Sequence, residues 1–199
     1  MKLKITIIIL AIAIVTIFLN AKIYNENSFV TYKVDTKKQD LKLFWKNENG
    51  QNFGSIENLK LWIEKKNLKL NFAMNGGMYK KDYTPQELYI ENQKTLIHLD
   101  TTKAVGNFYL KPNGVFYLTT DNTAKICTTD FFRNNGKIKF ATQSGPMLLI
   151  DGKIHSDFKE GSSNLNIRNG VGILPDGKVV FVYLKKKLIF MISLIILKN

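Results

Sequence analysis

Short runs in which hydrophobic and polar residues alternate recur along most of the chain, which is the pattern of β-strands with one buried face. Turn-forming sequences at residues 112–114, 151–152 and 175–177 separate neighbouring runs and favour antiparallel hairpins. The predicted strands cover residues 29–34, 41–45, 68–74, 88–90, 95–99, 108–110, 115–118, 137–140, 147–150 and 170–174.

The segment after Ser55 has helical spacing instead. Ser55 can cap a helix in which Ile56, Leu59, Trp62 and Ile63 fall on one face. Together the helix and the strands predict an α+β fold that consists mainly of antiparallel β-sheet with few helices. We expect one domain over residues 29–182, because no internal repeat or second domain is visible.

The composition limits the classes of function. The chain has 199 residues, of which 45% are hydrophobic, so it can bury a core. Its net charge of +13 would attract acidic or phosphorylated polymers, but no nucleic-acid-binding motif accompanies the scattered lysines, so no nucleic acid is expected as a partner. Cys127 is the single cysteine, and His98 and His155 lack metal-ligand spacing. We therefore predict no internal disulfide, metal or other cofactor.

The first residues have the pattern of an export signal. Lys2 and Lys4 precede an apolar run at residues 5–19, which is short for a membrane span and has the length of a signal-peptide core. Cleavage after Ala21 would be poor because Leu19 is not small. We expect residues 1–21 to be a removed signal peptide or a retained anchor that contacts the membrane. The protein would then be extracellular, periplasmic or held at the outer face of the cytoplasmic membrane.

Three polar stretches that contain glycine are candidates for a binding site. Arg168 stands between two hairpin-like segments, where its guanidinium could clamp a phosphate or simply face solvent. Asn75, Gly76 and Gly77 end a predicted strand; the glycines could adopt positive φ and bring N–H groups to an anion, or form a plain turn. Residues 143–146, Gln-Ser-Gly-Pro, could form a sugar-side loop or a rigid turn.

Four motifs in this order resemble the phosphodiester glycosidase family, which includes the mammalian lysosomal uncovering enzyme and many exported bacterial proteins. They are FAMNGGMY at residues 72–79, GNFYLKPNGVFYL at 106–118, ATQSGPMLLIDGKIH at 141–155 and RNGVGILPDGKVVFV at 168–182. The resemblance implies hydrolysis of a sugar joined through its anomeric carbon to a phosphodiester. Because the phosphate leaving group is acidic, such a site needs phosphate recognition, a carboxylate and a sugar pocket more than a strong general acid.

The resemblance also implies roles for individual residues. Arg168 matches the family's arginine and would bind the phosphate, and Asn75 would act with it in catalysis. The residues expected to bind substrate are Gly76, Gly77, Gln143, Ser144, Gly145 and Asn169. The substrate would be a phosphorylated glycan of the cell envelope or an exopolysaccharide. Glu87 departs from the family, whose members often have glycine or another small residue at this position.

The family pattern continues beyond the Arg168 motif into a helix and a strand that supplies an active-site aspartate. In this chain, residues 183–199 read YLKKKLIFMISLIILKN instead. Codons chosen for this stretch and read one nucleotide earlier can give a string that resembles the family's continuation. We therefore expect a frameshifted tail at residues 183–199 and a domain that is incomplete and inactive as a hydrolase.

Two other classes of function stay open. A non-catalytic surface module could bind phosphorylated polysaccharide through the same loops and the positive charge. A membrane-anchored structural protein would tolerate replacement of Arg168 and Asn75 with no loss beyond stability.

Overall fold

A computed structural model describes residues 29–102, 109–158 and 166–185, and within these ranges it has ten β-strands and one α-helix. The helix, α1, is Ile56–Glu64. The strands are β1 (Phe29–Val34), β2 (Tyr89–Glu91), β3 (Lys94–Ile97), β4 (Gly114–Thr119), β5 (Ala124–Thr128), β6 (Ile138–Ser144), β7 (Leu149–Ile150), β8 (Lys153–Ile154), β9 (Asn169–Ile173) and β10 (Val179–Leu184). The predicted α+β class with mainly antiparallel sheet is confirmed.

The strands form two antiparallel sheets and a small ribbon. One sheet has the order β1-β10-β9, the other has the order β3-β2-β6-β4-β5, and β7 pairs with β8. The predicted turns at residues 151–152 and 175–177 connect β7 to β8 and β9 to β10. Asp151 and Gly152 have φ values of 50° and 73°, which match a two-residue hairpin turn.

The two sheets pack against each other around the main hydrophobic core. Its buried residues are Val34, Val179 and Phe181 from the three-stranded sheet and Phe116, Leu118, Ala124 and Phe140 from the five-stranded sheet. A second core includes Ile90, Val115 and Phe132. Since successive side chains of a strand point to opposite faces, Val115 and Phe116 of β4 contribute to different cores.

Helix α1 begins after Ser55, as predicted. Ser55 Oγ accepts a hydrogen bond from the backbone N–H of Asn58 at 3.1 Å, which satisfies one of the free N–H groups at the helix start. Ile63 is buried, whereas Ile56 is exposed, so the predicted apolar face is only partly covered. Trp62 packs with Phe44 and Phe53, with ring centroids 5.2 to 6.3 Å apart.

Two of the predicted strands that precede β2 are wrong. Residues 41–45 and 68–74 belong to neither sheet, although Leu43, Phe72 and Met74 pack against the main core. The alternation of apolar and polar residues in these segments reflects one face that is packed on the core. A strand also needs a neighbour that completes the hydrogen-bond ladder, and among the described residues these segments have none.

The region around β4 also differs from the prediction. Residues 112–114 do not form a hairpin turn, because Gly114 already belongs to β4 and residues 109–113 are not a strand. The predicted strand at 108–110 is therefore also wrong for residues 109 and 110, and residue 108 lies outside the described ranges. Strand β5 is absent from the predicted set because its sequence, AKICT, has few large apolar residues. The other predicted strands lie within a few residues of observed ones.

Hydrogen bonding and strand pairing show how the two sheets are aligned. Thr36, after β1, donates through Oγ1 to the backbone O of Asn122 at 2.7 Å. This bond joins the end of β1 to the β4–β5 turn, and we call this end of the sandwich, Thr36 with residues 119–123, the turn end. Because β10 runs antiparallel to β1, and β9 runs antiparallel to β10, β9 starts at the end of the sandwich opposite to the turn end. Strand β6 ends there too, since its last residue pairs with the first residue of β4. We call that end the site end.

Some predicted segments lie outside the described residues. These are residues 1–21, the predicted signal or anchor, and residues 186–199 of the predicted tail. Tyr183 and Leu184 are described: they are the last residues of β10 and pair with Val30 and Phe29. A search of the described residues finds no helix with the length and apolar character needed to cross a membrane.

Candidate functional site

The loop at residues 75–77 packs against the end of β6. A Cβ added to Gly77 would lie 2.6 Å from Thr142 Oγ1 and 3.2 Å from the backbone O of Gln143, so a larger residue does not fit. At Gly76 the nearest atom would be Leu43 Cδ2 at 3.3 Å, which a side-chain movement can relieve. Neither glycine has positive φ, so that expectation was wrong: close packing requires Gly77. Asn75 and Gly76 are exposed.

Gln143 is buried, and its side chain bonds to the backbone of Asp100, which lies three residues after the end of β3. Gln143 Nε2 donates to the backbone O of Asp100 at 2.7 Å, and Gln143 Oε1 accepts from the backbone N–H of Asp100 at 3.0 Å. Both ends of the amide are therefore engaged by the backbone. The predicted contact of Gln143 with substrate stays a prediction, and the geometry favours a role in positioning Asp100.

Ser144 is the exposed last residue of β6 and lies opposite Gly114. The chain then turns through Gly145 and the buried Pro146, which are joined by a cis peptide bond. The backbone N–H of Met147 donates to the backbone O of Pro112 at 3.0 Å. This bond ties the turn at residues 144–146 to the segment before β4, and the Ser144 residue stays at the surface of the site end.

Two polar side chains near this turn were not expected from the sequence. Asn113 is buried, and neither Oδ1 nor Nδ2 has a hydrogen-bond partner among the described residues. The same holds for Oγ1 of Thr128, the residue that pairs with Gly114. A buried polar group without a partner costs about 1 to 3 kcal/mol and is uncommon in native proteins. The Pro-Asn-Gly sequence gave no signal of this, because it is typical of exposed turns.

Glu87 is another buried polar group at the site end. It precedes β2, is 2% exposed, and its carboxylate oxygens have no hydrogen-bond partner of good geometry in the described part of the chain. The backbone N–H of the neighbouring Gln86 donates to the backbone O of Met78 at 3.0 Å, so this segment lies beside the 75–77 loop. The departure from the family at Glu87 therefore falls within the candidate site.

The carboxyl groups of Glu87 and Asp100 have opposite environments. Burial and, to a smaller extent, the charge of Asp100 raise the pKa of Glu87 to about 7, while Gln86 and Lys80 act weakly in the opposite direction. Asp100 accepts a 2.7 Å hydrogen bond from the backbone N–H of Thr102, and hydrogen bonding by Thr102 lowers the pKa of Asp100. Near neutral pH the site end can thus hold one ionised carboxylate and one carboxyl group that exchanges its proton.

Arg168 and Asn169 reach the site end from the three-stranded sheet. Asn169 is exposed and pairs with Tyr183, and the backbone O of Arg168 accepts a 2.9 Å hydrogen bond from Leu184. Arg168 is half-buried, and this burial lowers its pKa. A guanidinium keeps its charge in proteins, so here the charge is screened by less water than on an open surface. Strand pairing therefore puts Arg168 at the site end of the three-stranded sheet.

His155 has a structural setting. Its Nδ1 accepts from the backbone N–H of Asp157 at 3.1 Å, and its Nε2 lies 2.8 Å from the backbone O of Lys111. This arrangement fits a neutral ring with the proton on Nε2, which ties residues 155–157 to the segment before β4. A search of the described residues finds no group of three His, Cys, Asp or Glu side chains that could hold a metal ion.

Comparison with known proteins identifies the family to which the chain is similar. The sequence model of a family described as phosphodiester glycosidase matches residues 69–187, a range that includes all eight predicted site residues. The chain is 37% identical over 151 residues to the uncharacterized protein YigE of Escherichia coli (strain K12), a match that covers 76% of this chain. The chain spans 59% of the length of that relative. No solved structure matches the chain.

Proposed function

Because the chain belongs to the phosphodiester glycosidase family, we propose that it hydrolyses glycans in which an anomeric carbon is joined to a phosphodiester. In this reaction water attacks the anomeric carbon, and the bond from that carbon to the bridging oxygen breaks. The bridging oxygen leaves with the phosphate as a phosphate monoester. The sugar gains the hydroxyl group of the water, and the remaining proton goes to a base at the site or to solvent.

The observation that carries this proposal is the position of Arg168. Arg168 is half-buried and directly precedes β9, whose start lies at the site end by strand pairing, and the 75–77 loop packs against the end of β6. A planar guanidinium can donate two parallel hydrogen bonds to phosphate oxygens, and reduced access of water strengthens them. The exposed Asn75 and Asn169 would bind the sugar hydroxyls or the remaining phosphate oxygen.

Glu87 and Asp100 suit the sugar side of the reaction. Carboxyl groups whose environments move their pKa values apart are typical of the acid and base pairs of glycosidases. We assign to the ionised Asp100 the stabilisation of positive charge that develops at the anomeric carbon. Glu87, with a pKa of about 7, would accept the proton of the attacking water near neutral pH through an intervening water, because its own carboxylate is buried. A single proton-exchanging group is sufficient, since the phosphate leaving group needs little protonation.

The proposed substrates are phosphorylated envelope glycans or exopolysaccharides outside the cytoplasm. The basic start and the apolar run at residues 5–19 support export, and the net charge of +13 supports an anionic polymer as substrate. Fractionation of cells that express the tagged chain checks the export. Recovery of the chain in the cytoplasmic fraction alone would rule this location out.

The test of the activity uses the full 199-residue chain and a panel of sugar 1-phosphodiesters, with NMR detection of the free sugar and the phosphate monoester. Arg168→Ala is expected to lower kcat/KM by about 100-fold or more, because it removes a charged donor from a water-poor site. Arg133→Ala is the matched control, since Arg133 donates to the backbone O atoms of Asp130 and Phe132 in its own loop. Unchanged turnover in Arg168→Ala contradicts the assignment. Turnover that appears only after the reading frame of residues 183–199 is corrected fits the inactive form expected from the sequence. Binding without turnover in either form favours the surface module.

A further inference from the structure

An exposed aromatic surface begins beside the 75–77 loop. Tyr79 and Tyr83 are 52% and 49% exposed, and their rings stack with centroids 6.2 Å apart. Tyr79 follows Gly77 by two residues, so this pair starts at the candidate site. Tyr83 lies over Gly54, where an added Cβ would be 3.7 Å from the tyrosine ring. The surface therefore continues from the site to the segment that precedes helix α1.

Beyond Gly54 the surface opens into a groove of about 370 Å³, which we call the amide groove. Its lining residues are Asn47, Gln51, Asn52, Phe53, Asn58 and Trp62. Phe53 and Trp62 supply two aromatic rings whose centroids are 5.2 Å apart, and the other four residues supply carboxamides. The wall of the groove is therefore aromatic and hydrogen-bonding but carries no charge.

Some donors and acceptors of these carboxamides form hydrogen bonds within the protein, which hold the side chains in place. Asn52 Nδ2 donates to the backbone O of Asp82 at 2.9 Å, and Asn58 Nδ2 donates to the backbone O of Phe53 at 2.7 Å. Gln51 Oε1 accepts from Asn47 Nδ2 at 3.1 Å. Within the described ranges, the Oδ1 atoms of Asn52 and Asn58 and the Nε2 atom of Gln51 make no hydrogen bond. The groove can thus offer both acceptors and donors to a ligand.

We propose that the surface from Tyr79 and Tyr83 to the amide groove binds the glycan chain of the substrate, at sugar units distant from the bond that is cleaved. This inference rests on the proposed function. Sugar rings have apolar C–H faces that can pack on aromatic rings, and their hydroxyl groups donate and accept hydrogen bonds, as carboxamides do. Because this surface is continuous with the 75–77 loop, one glycan molecule can occupy both the site end and the amide groove.

The charges along this surface favour an anionic glycan over a protein partner. Lys80 and Lys81 are exposed between the two tyrosines and outnumber the exposed Asp82 beside them. Lys66 lies 4.4 Å from the ring centroid of Trp62, but it is ion-paired with Glu48 at 3.2 Å, so Lys80 and Lys81 carry the charge argument. Lysine is depleted from protein interfaces, whereas it can bind phosphate groups in a polymer. The combination of rings, amides and lysines therefore fits a phosphate-linked glycan, which is the substrate class proposed above.

The experiment measures how affinity depends on the length of the glycan. Its probes are N-acetylglucosamine and glucose oligomers of about one, three and six units, joined by phosphonate groups that cannot be cleaved at the anomeric position, and binding to the full chain is measured by calorimetry. We expect affinity for at least one series to rise about tenfold or more from the shortest to the longest oligomer. Tyr83→Ala should remove most of this gain and leave binding of the shortest probe unchanged, while Tyr83→Phe should keep the gain.

Leu96→Ala is the control, because Leu96 is exposed on β3 and lies outside the proposed surface. Equal affinity at all lengths in both series, or equal gains in Tyr83→Ala and the unmodified chain, overturns the inference and favours a protein partner. The proposed function is tested separately with a short sugar 1-phosphodiester. If Tyr83→Ala hydrolyses it normally and length dependence is absent, only the inference fails. If length dependence is present and no diester is hydrolysed, only the proposed function fails.

Discussion

At the turn end of the sandwich polar side chains bond to one another, whereas at the site end several are buried without partners. Thr119 and Thr123 both donate to the carboxylate of Asp121, and Lys37 Nζ lies 3.4 Å from the same carboxylate. These contacts, led by the hydrogen bond from Thr119, lower the pKa of Asp121. At the site end, by contrast, Glu87 and Asn113 have no hydrogen-bond partners of good geometry among the described residues.

We attribute the difference to the substrate that we propose for the site end. A polar group that is fully hydrogen-bonded costs the fold little, and one that is buried without a partner costs the fold free energy that a ligand can recover. Natural proteins keep such groups mainly where function requires them. The unpaired groups lie beside the loops that the family resemblance selected, so two independent observations point to the site end.

Replacing Gln143 and Asn113 by apolar residues of similar size tests this comparison most strongly. Gln143→Met is expected to lower the free energy of unfolding by about 3 kcal/mol, because both hydrogen bonds to Asp100 are lost. Asn113→Leu should change it by less than about 1 kcal/mol or raise it, since no hydrogen bond is lost. Urea unfolding of each variant gives the two free energies.

The same pair of variants separates stability from function. Asn113→Leu should keep the fold and lose turnover if the buried amide serves the substrate. If the two substitutions destabilise the protein equally, then Asn113 makes hydrogen bonds of the same strength as those of Gln143. The site end would then hold no buried amide without a partner, and it would not differ from the turn end in this respect.

Glu87→Gln should change how stability depends on pH. The pKa of Glu87 is about 7 in the folded chain and near its ordinary value of 4.5 in the unfolded chain. At low pH both states are protonated and Glu87 has no effect. As pH rises above 4.5 the unfolded chain releases the proton first, so the folded state loses up to about 3 kcal/mol by pH 8. Glu87→Gln avoids this loss and should be more stable than the unmodified chain at pH 8 but not at pH 4.

Glu64→Gln is the matched control for Glu87→Gln, because Glu64 is an exposed glutamate of helix α1. Unfolding free energies measured between pH 4 and pH 8 should diverge from the unmodified chain for Glu87→Gln and stay nearly parallel for Glu64→Gln. Parallel curves for both variants would mean that Glu87 is ionised in the folded protein at neutral pH, and it could not exchange a proton there.

The parts of the fold that the sequence predicts correctly depend on local chemistry. The Asp-Gly turns of the β7–β8 and β9–β10 hairpins and the cap at Ser55 each act within a few residues. The false strand at residues 68–74 shows the limit of the pattern. Phe72 and Met74 are packed on the core as in a strand, but pairing depends on a neighbour that is distant in sequence, and alternation carries no information about it.

The candidate site divides in a similar way. Arg168 and Gly77 could be selected from the sequence because they lie in motifs that resemble a family, and the structure adds the reason for Gly77, its contact with Thr142. The engagement of Gln143 with Asp100 spans 43 positions and left no local signal. Glu87 was singled out in the sequence as a departure from the family, but the burial of Glu87 and Asn113 could not be read from hydrophobic periodicity.

The smallest expected effect is at the turn end. Thr36→Val removes the hydrogen bond from Oγ1 to the backbone O of Asn122 and keeps the shape of the side chain, so it should lower the free energy of unfolding by about 1 kcal/mol. Thr31→Val is the control, because Thr31 is exposed on β1 and should change stability by less than about 0.5 kcal/mol. Turnover by Thr36→Val should match the unmodified chain below the unfolding temperature. A loss of turnover in the folded variant would show that the turn end also contributes to the reaction.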